Sequence, residues 1–567
     1  MPQDTHSPPP ETILVAVAWP YANNHLHMGH LAGSYLPADI YARYHRMRGN
    51  RVLMVSGSDS HGTPVTVRAE EEGTTPEAIF ERYHQSFLDT FEGYGISFDL
   101  FTSTNTENHA RVTQDIFLRL LEGGHLYEAE QELLYDPKVS RFLPDRYVEG
   151  TCPRCGFESA RGDQCDSCGA TLDAVDLINP RSRLSDATPE RRVTSHFMLR
   201  LSAFTEQLRA WVEPKTYWRP HVRNFTLGML REGLPDRAIT RDLTWGVPIP
   251  LEGYESKRIY VWFEAVIGYL SASKEWAASP LNPNGDPEDW RLWWQAEDAK
   301  SVYFQGKDNI PFHTIIWPSI LLAYGDLNLP YDVPANQYLT MSGAKASKSR
   351  GGVVWAPDAL ERFDPDPFRY YLAAAAPETS DSDFTWAEFV RRNNDELVAR
   401  WGNLVNRVLT ITRRNFEARV PQAPSTLSPE STALLERVDQ AFASVGEAME
   451  AVHLRRALGL AMEVATAANQ YLDARAPWVH VKQNRDHAAE TLFVALNVIS
   501  GLASLLNPVL PFTSQRVWTL LAHPGEVQAA GWRRTPVAAG TELPEPTPLF
   551  KKLDDSVVEE EEARLTR

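Results

Sequence analysis

Cysteine is scarce in this sequence. There are four in 567 residues, and all of them fall between Cys152 and Cys168. Thiols bunched so closely cannot staple distant parts of a chain, which excludes a disulfide framework and points instead to metal in a reducing compartment. Positive charge is also in deficit, with 56 Lys and Arg against 74 Asp and Glu, a formal net charge of −18. That balance excludes a polyanion-binding coat over the whole surface, so contact with nucleic acid requires local basic patches on an acidic background. No long apolar run is uninterrupted. The best, Thr491 to Gln515, is broken by Asn497, Ser500, Gly501, Asn507 and Pro508 and reads as a buried helix ending near Asn507, not a membrane span. Met1 to Pro10 is polar and proline-rich, with no basic start and apolar core, so it is not a secretory signal. No internal repeat is visible, and a cytoplasmic location without membrane contact is expected.

What is present suits a large globular chain. Apolar residues make up 43%, and the length suits roughly three or four domains of about 150 residues each. Thr12 to Trp19 is nearly all apolar and ends at Pro20, as in a parallel strand buried on both faces. A loop with His27-Met28-Gly29-His30 follows, then a helix pattern from Leu31 to Arg48, stopped at Gly49. Arg51 to Ser56 is a second strand, closed by a turn from Gly57 to Gly62. This is a βαβ unit, and ligands of such sheets sit at the carboxyl ends of the strands, where both loops lie. From about Glu128 the pattern breaks into short turn-rich pieces around the cysteines. Strand signals return at Arg258 to Trp262 and Ser301 to Gln305, so the sheet reads as split by an insertion. Farther on, Leu397 to Arg414 and Leu454 to Tyr471 are amphipathic at helical spacing, consistent with a bundle. The proline-rich and then acidic end, through Glu559 to Glu562, reads as peripheral or frayed. The expected fold class is therefore α/β: a Rossmann-like parallel sheet split by an insertion, then an all-α bundle.

Three clusters carry chemistry. His27 and His30, three apart where a loop enters a helix, can present both imidazoles on one side of an anion-favouring helix start. Gly29 between them leaves room for a purine ring to approach the backbone. Lys345-Ala346-Ser347-Lys348-Ser349, followed by Arg350-Gly351-Gly352, adds two cations on a Gly/Ser-rich loop able to close over phosphates. Either string alone reads equally well as turn residues or a solvated charge pair. Together they supply donors and positive charge for a triphosphate. The second cluster is Cys152-x-x-Cys155 and Cys165-x-x-Cys168, with nine residues between the pairs and Gly156 and Gly169 directly after them. Four thiolates from two tight turns suit one tetrahedral, structural zinc ion per chain, with an iron–sulfur centre as the rival. The third lies between Arg391 and Arg419, where seven arginines face three acids. There Asn403, Asn406 and Arg407 share a helix face, and Trp478 can stack a base, although a solvated helix face fits equally well.

The two signature strings, with Ala18-Trp19-Pro20-Tyr21-Ala22-Asn23, Asp59-Ser60-His61-Gly62-Thr63-Pro64, Tyr260-Val261-Trp262-Phe263, Gly306-Lys307-Asp308 and Ala476-Pro477-Trp478, resemble class I aminoacyl-tRNA synthetases, and within them the methionyl-tRNA synthetase family. The likeness runs from about residue 12 to 510. Ala346 stands where the family has Met, and Val266 where many members have Pro. Neither departure removes a donor or a charge. The resemblance implies activation of L-methionine by ATP, with Mg2+, and transfer to the 3′ end of tRNA(Met), the initiator included. It implies catalytic roles for His27, His30, Lys345 and Lys348. ATP contacts fall at His27, Gly29, His30, Lys307, Asp308, Lys345, Ser347 and Lys348, with Arg241 near ATP and the carboxylate. Methionine contacts fall at Ala18, Trp19, Tyr21, Asp59, Trp262, Ala265, Tyr269 and His313, and anticodon contacts at Asn403, Arg407 and Trp478. It also implies a partition: residues 1–11 disordered, 12–125 and 236–335 the split catalytic domain, 126–235 the inserted zinc-knuckle domain, 336–393 a stem-contact region with the Lys/Ser loop, 394–515 a helical anticodon-binding domain, and 516–567 an extension. A monomer is expected. A class I synthetase for Leu, Val, Ile or Cys, a zinc-stabilised RNA-binding protein with an inactive synthetase fold, and a nucleotidyltransferase for a small metabolite are the alternatives.

Overall fold

The structure, a computed structural model, describes residues 9–143, 147–170, 172–185, 187–341, 344–345 (backbone only) and 352–565. The expected disorder of residues 1–8 and the expected roles of Ser347 and Lys348 lie outside the described residues. Five parallel strands form the central sheet, in the order Ala335–Asn336, Lys300–Gly306, Thr12–Val17, Arg51–Ser58, Leu100–Ser103. All six residues of Thr12–Val17 are buried. Ile13, Val15 and Val17 join one core cluster while Leu14 and Ala16 join the other, which is why the strand lacks a polar alternation. Strand order reverses between Thr12–Val17 and Lys300–Gly306. Their carboxyl ends diverge there, opening the crevice in which ligands of such sheets bind.

The insertion is better ordered than the sequence pattern suggests. Leu126–Asp136 is one 11-residue strand, paired antiparallel with Glu190–Leu199 from Leu126–Leu199 to Tyr135–Glu190. It belongs to a four-stranded sheet completed by Arg141–Phe142 and Arg237–Ala238. A three-stranded sheet, Ala160–Arg161, Val148–Thr151 and Ile178–Ser182, carries the cysteine turns. The expected strand at Arg258 to Trp262 is cut short. Only Arg258–Ile259 is extended, paired with Thr240–Arg241 outside the central sheet, and Val261–Ala277 is a helix buried along most of its length. A run of Tyr, Val, Trp and Phe has the composition of a strand, and tertiary burial on all sides permits the helix instead.

Beyond residue 390 the chain is helical, over 392–415, Pro429–Glu450, Leu454–Arg475 and Arg485–Leu506. Arg485–Leu506 is long and apolar enough to cross a membrane by composition, but it is buried inside the bundle and stops at Asn507. The C-terminal stretch is not frayed. Ser556–Leu565 is a helix whose Val557, Val558 and Leu565 pack on the main core. The Glu561 carboxylate is buried against Arg362, at 2.7 and 2.8 Å from Nε and Nη2. A bidentate pair of this kind fixes the acidic helix in place.

Candidate active site

A cavity of about 420 Å³ opens at the strand-order reversal, within the range of small-molecule sites. The ends of three strands lead into it through Ala18 and Trp19, Asp59, and Gly306 with Asp308. The helix starting at Met28 adds His27, Gly29 and His30, and the Val261–Ala277 helix adds Trp262, Ala265, Val266 and Tyr269.

The two imidazoles do share one side. Their rings stack with centroids 3.7 Å apart, and the His27 backbone N–H donates to His30 Nδ1 at 3.1 Å. The glycine between them is required by the ring beside it: a Cβ at Gly29 would stand 2.9 Å from the His27 ring. Both ends of the Lys/Ser loop are anchored beside this pair. Lys345 pairs in backbone register with Thr340, one residue beyond Leu339 in the cavity wall. On the far side Met28 N–H donates to Val354 O at 3.1 Å, and His27 bridges Trp355. The loop therefore leaves and returns next to the histidines. The Lys345 side chain, Ser347 and Lys348 are outside the described residues.

A neutral aromatic slot lies deeper. Trp262 Nε1 donates to Tyr21 Oη at 2.6 Å, and Phe312 meets Trp262 edge-on at 4.9 Å. His313 Nδ1 is 2.9 Å from the Asn309 carbonyl, which fixes it as the N–H nitrogen and leaves Nε2 to accept from Tyr269 Oη at 2.7 Å. Burial depresses the His313 pKa to about 4 despite the favourable Asn309 carbonyl, so the ring is uncharged at neutral pH. The Trp19 ring lies between Gly57 and Gly268, where added Cβ atoms would come within 2.4 and 2.6 Å of it.

Asp59 is the carboxyl group of this slot. It is buried, it receives backbone N–H groups of His61 and Gly62, and its Oδ1 has no hydrogen-bond partner among the described residues. Burial raises its pKa well above the carboxylate range, and nearby Glu264 raises it further. Burial pushes the Glu264 pKa up too, but His61, 2.9 Å from Oε1, and His109 outweigh that and hold it below its ordinary value. A half-satisfied buried carboxyl in an aromatic slot is built to receive a cationic group.

Lys307 is not in the cavity wall. Its Nζ pairs with Asp381 Oδ1 at 2.8 Å and lies 3.9 Å from the centre of the Tyr338 ring. Asp308 lines the cavity and accepts from Tyr338 Oη. Arg241 lies in a second cavity on the insertion side, over the Tyr260 ring. Sequence reasoning missed Asn309, Phe312, Gln337 and Tyr338 in the wall and the Glu264–His61 pair behind it. Asn309, Phe312, Gln337 and Tyr338 were signalled only by position, just after the Lys300–Gly306 strand or just before the Lys/Ser string, whereas His61 stands inside the Asp59–Pro64 string and Glu264 directly follows the Tyr260–Phe263 string.

The four sulfurs lie within 4.8 Å of one another. Each pair sits in the same turn: Gly156 N–H returns to Cys152 O at 3.0 Å and Gly169 N–H to Cys165 O at 2.9 Å, both glycines at positive φ. The residues form one four-thiol pocket able to bind a metal ion. Far from it, Arg407 lies over the Trp478 ring at 4.9 Å and pairs with Asp473 at 2.9 Å. Asn403 is exposed one turn before it, and Trp478 is 42% exposed. The basic strip is shorter than its composition implies, because Arg391 and Arg392 are engaged by Glu388 and Glu396.

Residues 13–409 match the family described as tRNA synthetases class I (M), and residues 420–566 match the anticodon binding domain of methionyl tRNA ligase. A methionine–tRNA ligase of Thermomicrobium roseum is 53% identical over 98% of this chain and 99% of its own length. One of Dehalococcoides mccartyi is 55% identical over the same shares. The crystal structure of Mycobacterium tuberculosis methionyl-tRNA synthetase bound by methionyl-adenylate superposes with a TM-score of 0.78 at 26% identity, covering 96% of this chain and 100% of that one.

Proposed function

We propose, from the premise that this chain belongs to the methionine-type class I tRNA synthetases, that it joins methionine to ATP as methionyl-adenylate and then esterifies the 3′ end of tRNA(Met), initiator tRNA included. The observation that carries this reading is the meeting, in one cavity, of the stacked His27–His30 pair and an aromatic slot closed by Asp59, with both ends of the Lys/Ser loop anchored beside the histidines.

Adenylation has a carboxylate attack the α-phosphorus of ATP, held with Mg2+. The nucleophile is already charged, so the site must supply alignment and donors, not a base. His27 and His30 take the phosphate side, with Gly29 leaving their rings room. Lys345 and Lys348 neutralise the departing pyrophosphate, and Ser347 donates to it. Lys307 joins the phosphates after leaving Asp381, and Asp308 orients the nucleotide. Asp59 pairs with the ammonium of methionine. Ala18, Trp19, Tyr21, Trp262, Ala265, Tyr269 and His313 shape the side-chain slot, where aromatic rings favour sulfur by about 0.3–1.5 kcal/mol per contact. A neutral His313 suits a thioether, which would leave a cationic ring poorly solvated.

Zinc is the ion proposed for the cysteines. Zn–S bonds of about 2.3 Å place tetrahedral sulfurs about 3.8 Å apart, and here Cys155 and Cys165 stand 3.6 Å apart and Cys152 and Cys168 4.0 Å. Its role is to hold the insertion's turns, since four thiolates leave no open position. Asn403, Arg407 and Trp478 are proposed to read the anticodon, and the chain is proposed to act as a cytoplasmic monomer with the domain limits expected from its sequence. Pyrophosphate exchange with each of twenty amino acids tests the assignment. Exchange dependent on methionine alone is expected, and exchange driven better by leucine, valine, isoleucine or cysteine would overturn it.

A further inference from the structure

Arg219, the residue before the Pro220–Glu232 helix of the insertion, is almost wholly buried, yet it touches neither methionine's slot nor the histidine pair. Its acceptors are oxygens from two other parts of the chain. Nη1 donates to Ala335 O at 2.9 Å and Asn336 Oδ1 at 2.5 Å, and Nη2 to Val452 O at 3.1 Å. Val452, at φ +52, forms the turn between the Pro429–Glu450 and Leu454–Arg475 helices. Asn336, at the edge of the central sheet and 1% exposed, uses its other amide atom. Nδ2 donates to both Ala32 O and Gly33 O at 3.1 Å. These carbonyls belong to Leu31–Tyr35, a wide π-type turn directly after His30, and such turns offer carbonyls to partners outside the helix. Gly33 and Gln337, the neighbours of this contact, both line the cavity.

We propose that Arg219 is a positioning residue for adenylation, which holds the helix behind His27 and His30 at its working distance from the sheet edge through Asn336 and references it to the helical bundle at Val452. This rests on the reading given under Proposed function. A guanidinium fork suits the task because it is rigid and charged at every working pH, so it grips the sheet edge and the bundle turn in one geometry. Burial of a cation is costly and persists where its acceptors are well placed. Losing the fork frees the Asn336 amide to turn, and small displacements of reacting groups carry large rate penalties.

The test uses the full-length protein in methionine-dependent ATP–pyrophosphate exchange, with melting temperature measured alongside. R219Q is expected to lower kcat about tenfold or more, with the methionine KM changed less than about threefold because Tyr21, Trp262 and His313 are untouched. R219K, which keeps the charge but not the fork, recovers part of the loss. N336A lowers kcat similarly, and the double variant is no worse than the weaker single one. A kcat within twofold of wild type in both single variants, measured well below melting, overturns the proposal and leaves Arg219 a merely structural residue. Multiplying losses in the double variant overturn it too. Should R219Q not fold, N336A, which keeps the Arg219–Val452 bond, decides the matter by the same kcat criterion. Absence of exchange in the wild-type protein would instead remove the parent reading.

Discussion

Asp59→Asn separates the charge of the amino-acid slot from its shape. The side chain is buried, its neighbours donate from the His61 and Gly62 backbone, and one carboxyl oxygen has no partner among the described residues. Asn preserves size and an acceptor for those N–H groups and removes only the charge. Taking the charge from one side of a buried ion pair costs about 2–5 kcal/mol. Because acceptor and volume survive, the lower part of that range applies, about 2–3 kcal/mol, or roughly 30- to 150-fold in the methionine KM of pyrophosphate exchange. The pH dependence follows from the raised Asp59 pKa, set first by burial and then by Glu264. In the empty slot the carboxyl holds its proton to higher pH than in the unfolded chain. Only the ionised form pairs with an ammonium, so methionine affinity weakens as pH falls through the raised value. Stability runs the other way. A folded pKa above the unfolded one makes stability fall as pH rises between the two, because the buried charge must then form. Asp59→Asn is therefore expected to melt higher than wild type, by a margin that grows as pH rises from the ordinary carboxylate range through the raised Asp59 value, while binding methionine worse. A KM within threefold of wild type, or a wild-type KM flat with pH while that of the variant is not, would refute the pairing of Asp59 with the ammonium.

Gly29→Ala places a Cβ 2.9 Å from the His27 ring, and exchange kcat is expected to drop by about a hundredfold with little change in methionine KM or melting temperature. Cys155→Ser should bring bound metal, measured by elemental analysis, from one ion per chain to near zero and lower melting by several degrees, and full metal retention would count against the four-thiol site. Trp478→Ala should weaken tRNA charging by about 1–3 kcal/mol while sparing pyrophosphate exchange, and equal losses in both assays would contradict a separate RNA-reading role.

The family and its chemistry were legible in the linear order of residues. The stacked histidines, the paired cysteine turns and the doubly buried strand at Thr12–Val17 each rest on spacing over a few residues, and local geometry at that range is set by local sequence. The helix at Val261–Ala277 was not legible, because its composition is that of a strand and burial on every side decided for the helix. The acidic C-terminal helix was misjudged for a related reason, since only the fold brings Arg362 to Glu561. Lys307 reads as a phosphate ligand in its motif, yet in the fold its charge is held by Asp381, 74 residues away.

Spacing, read with the family resemblance, thus pointed to the residues proposed to face a triphosphate, a metal and an RNA. Tertiary structure alone decided that Asp59 is half-satisfied, that His313 is neutral, and that Arg219 grips the sheet edge and a bundle turn. The physical reason is that charge state and hydrogen-bond satisfaction depend on burial and on partners far along the chain, and neither exists until the chain has folded.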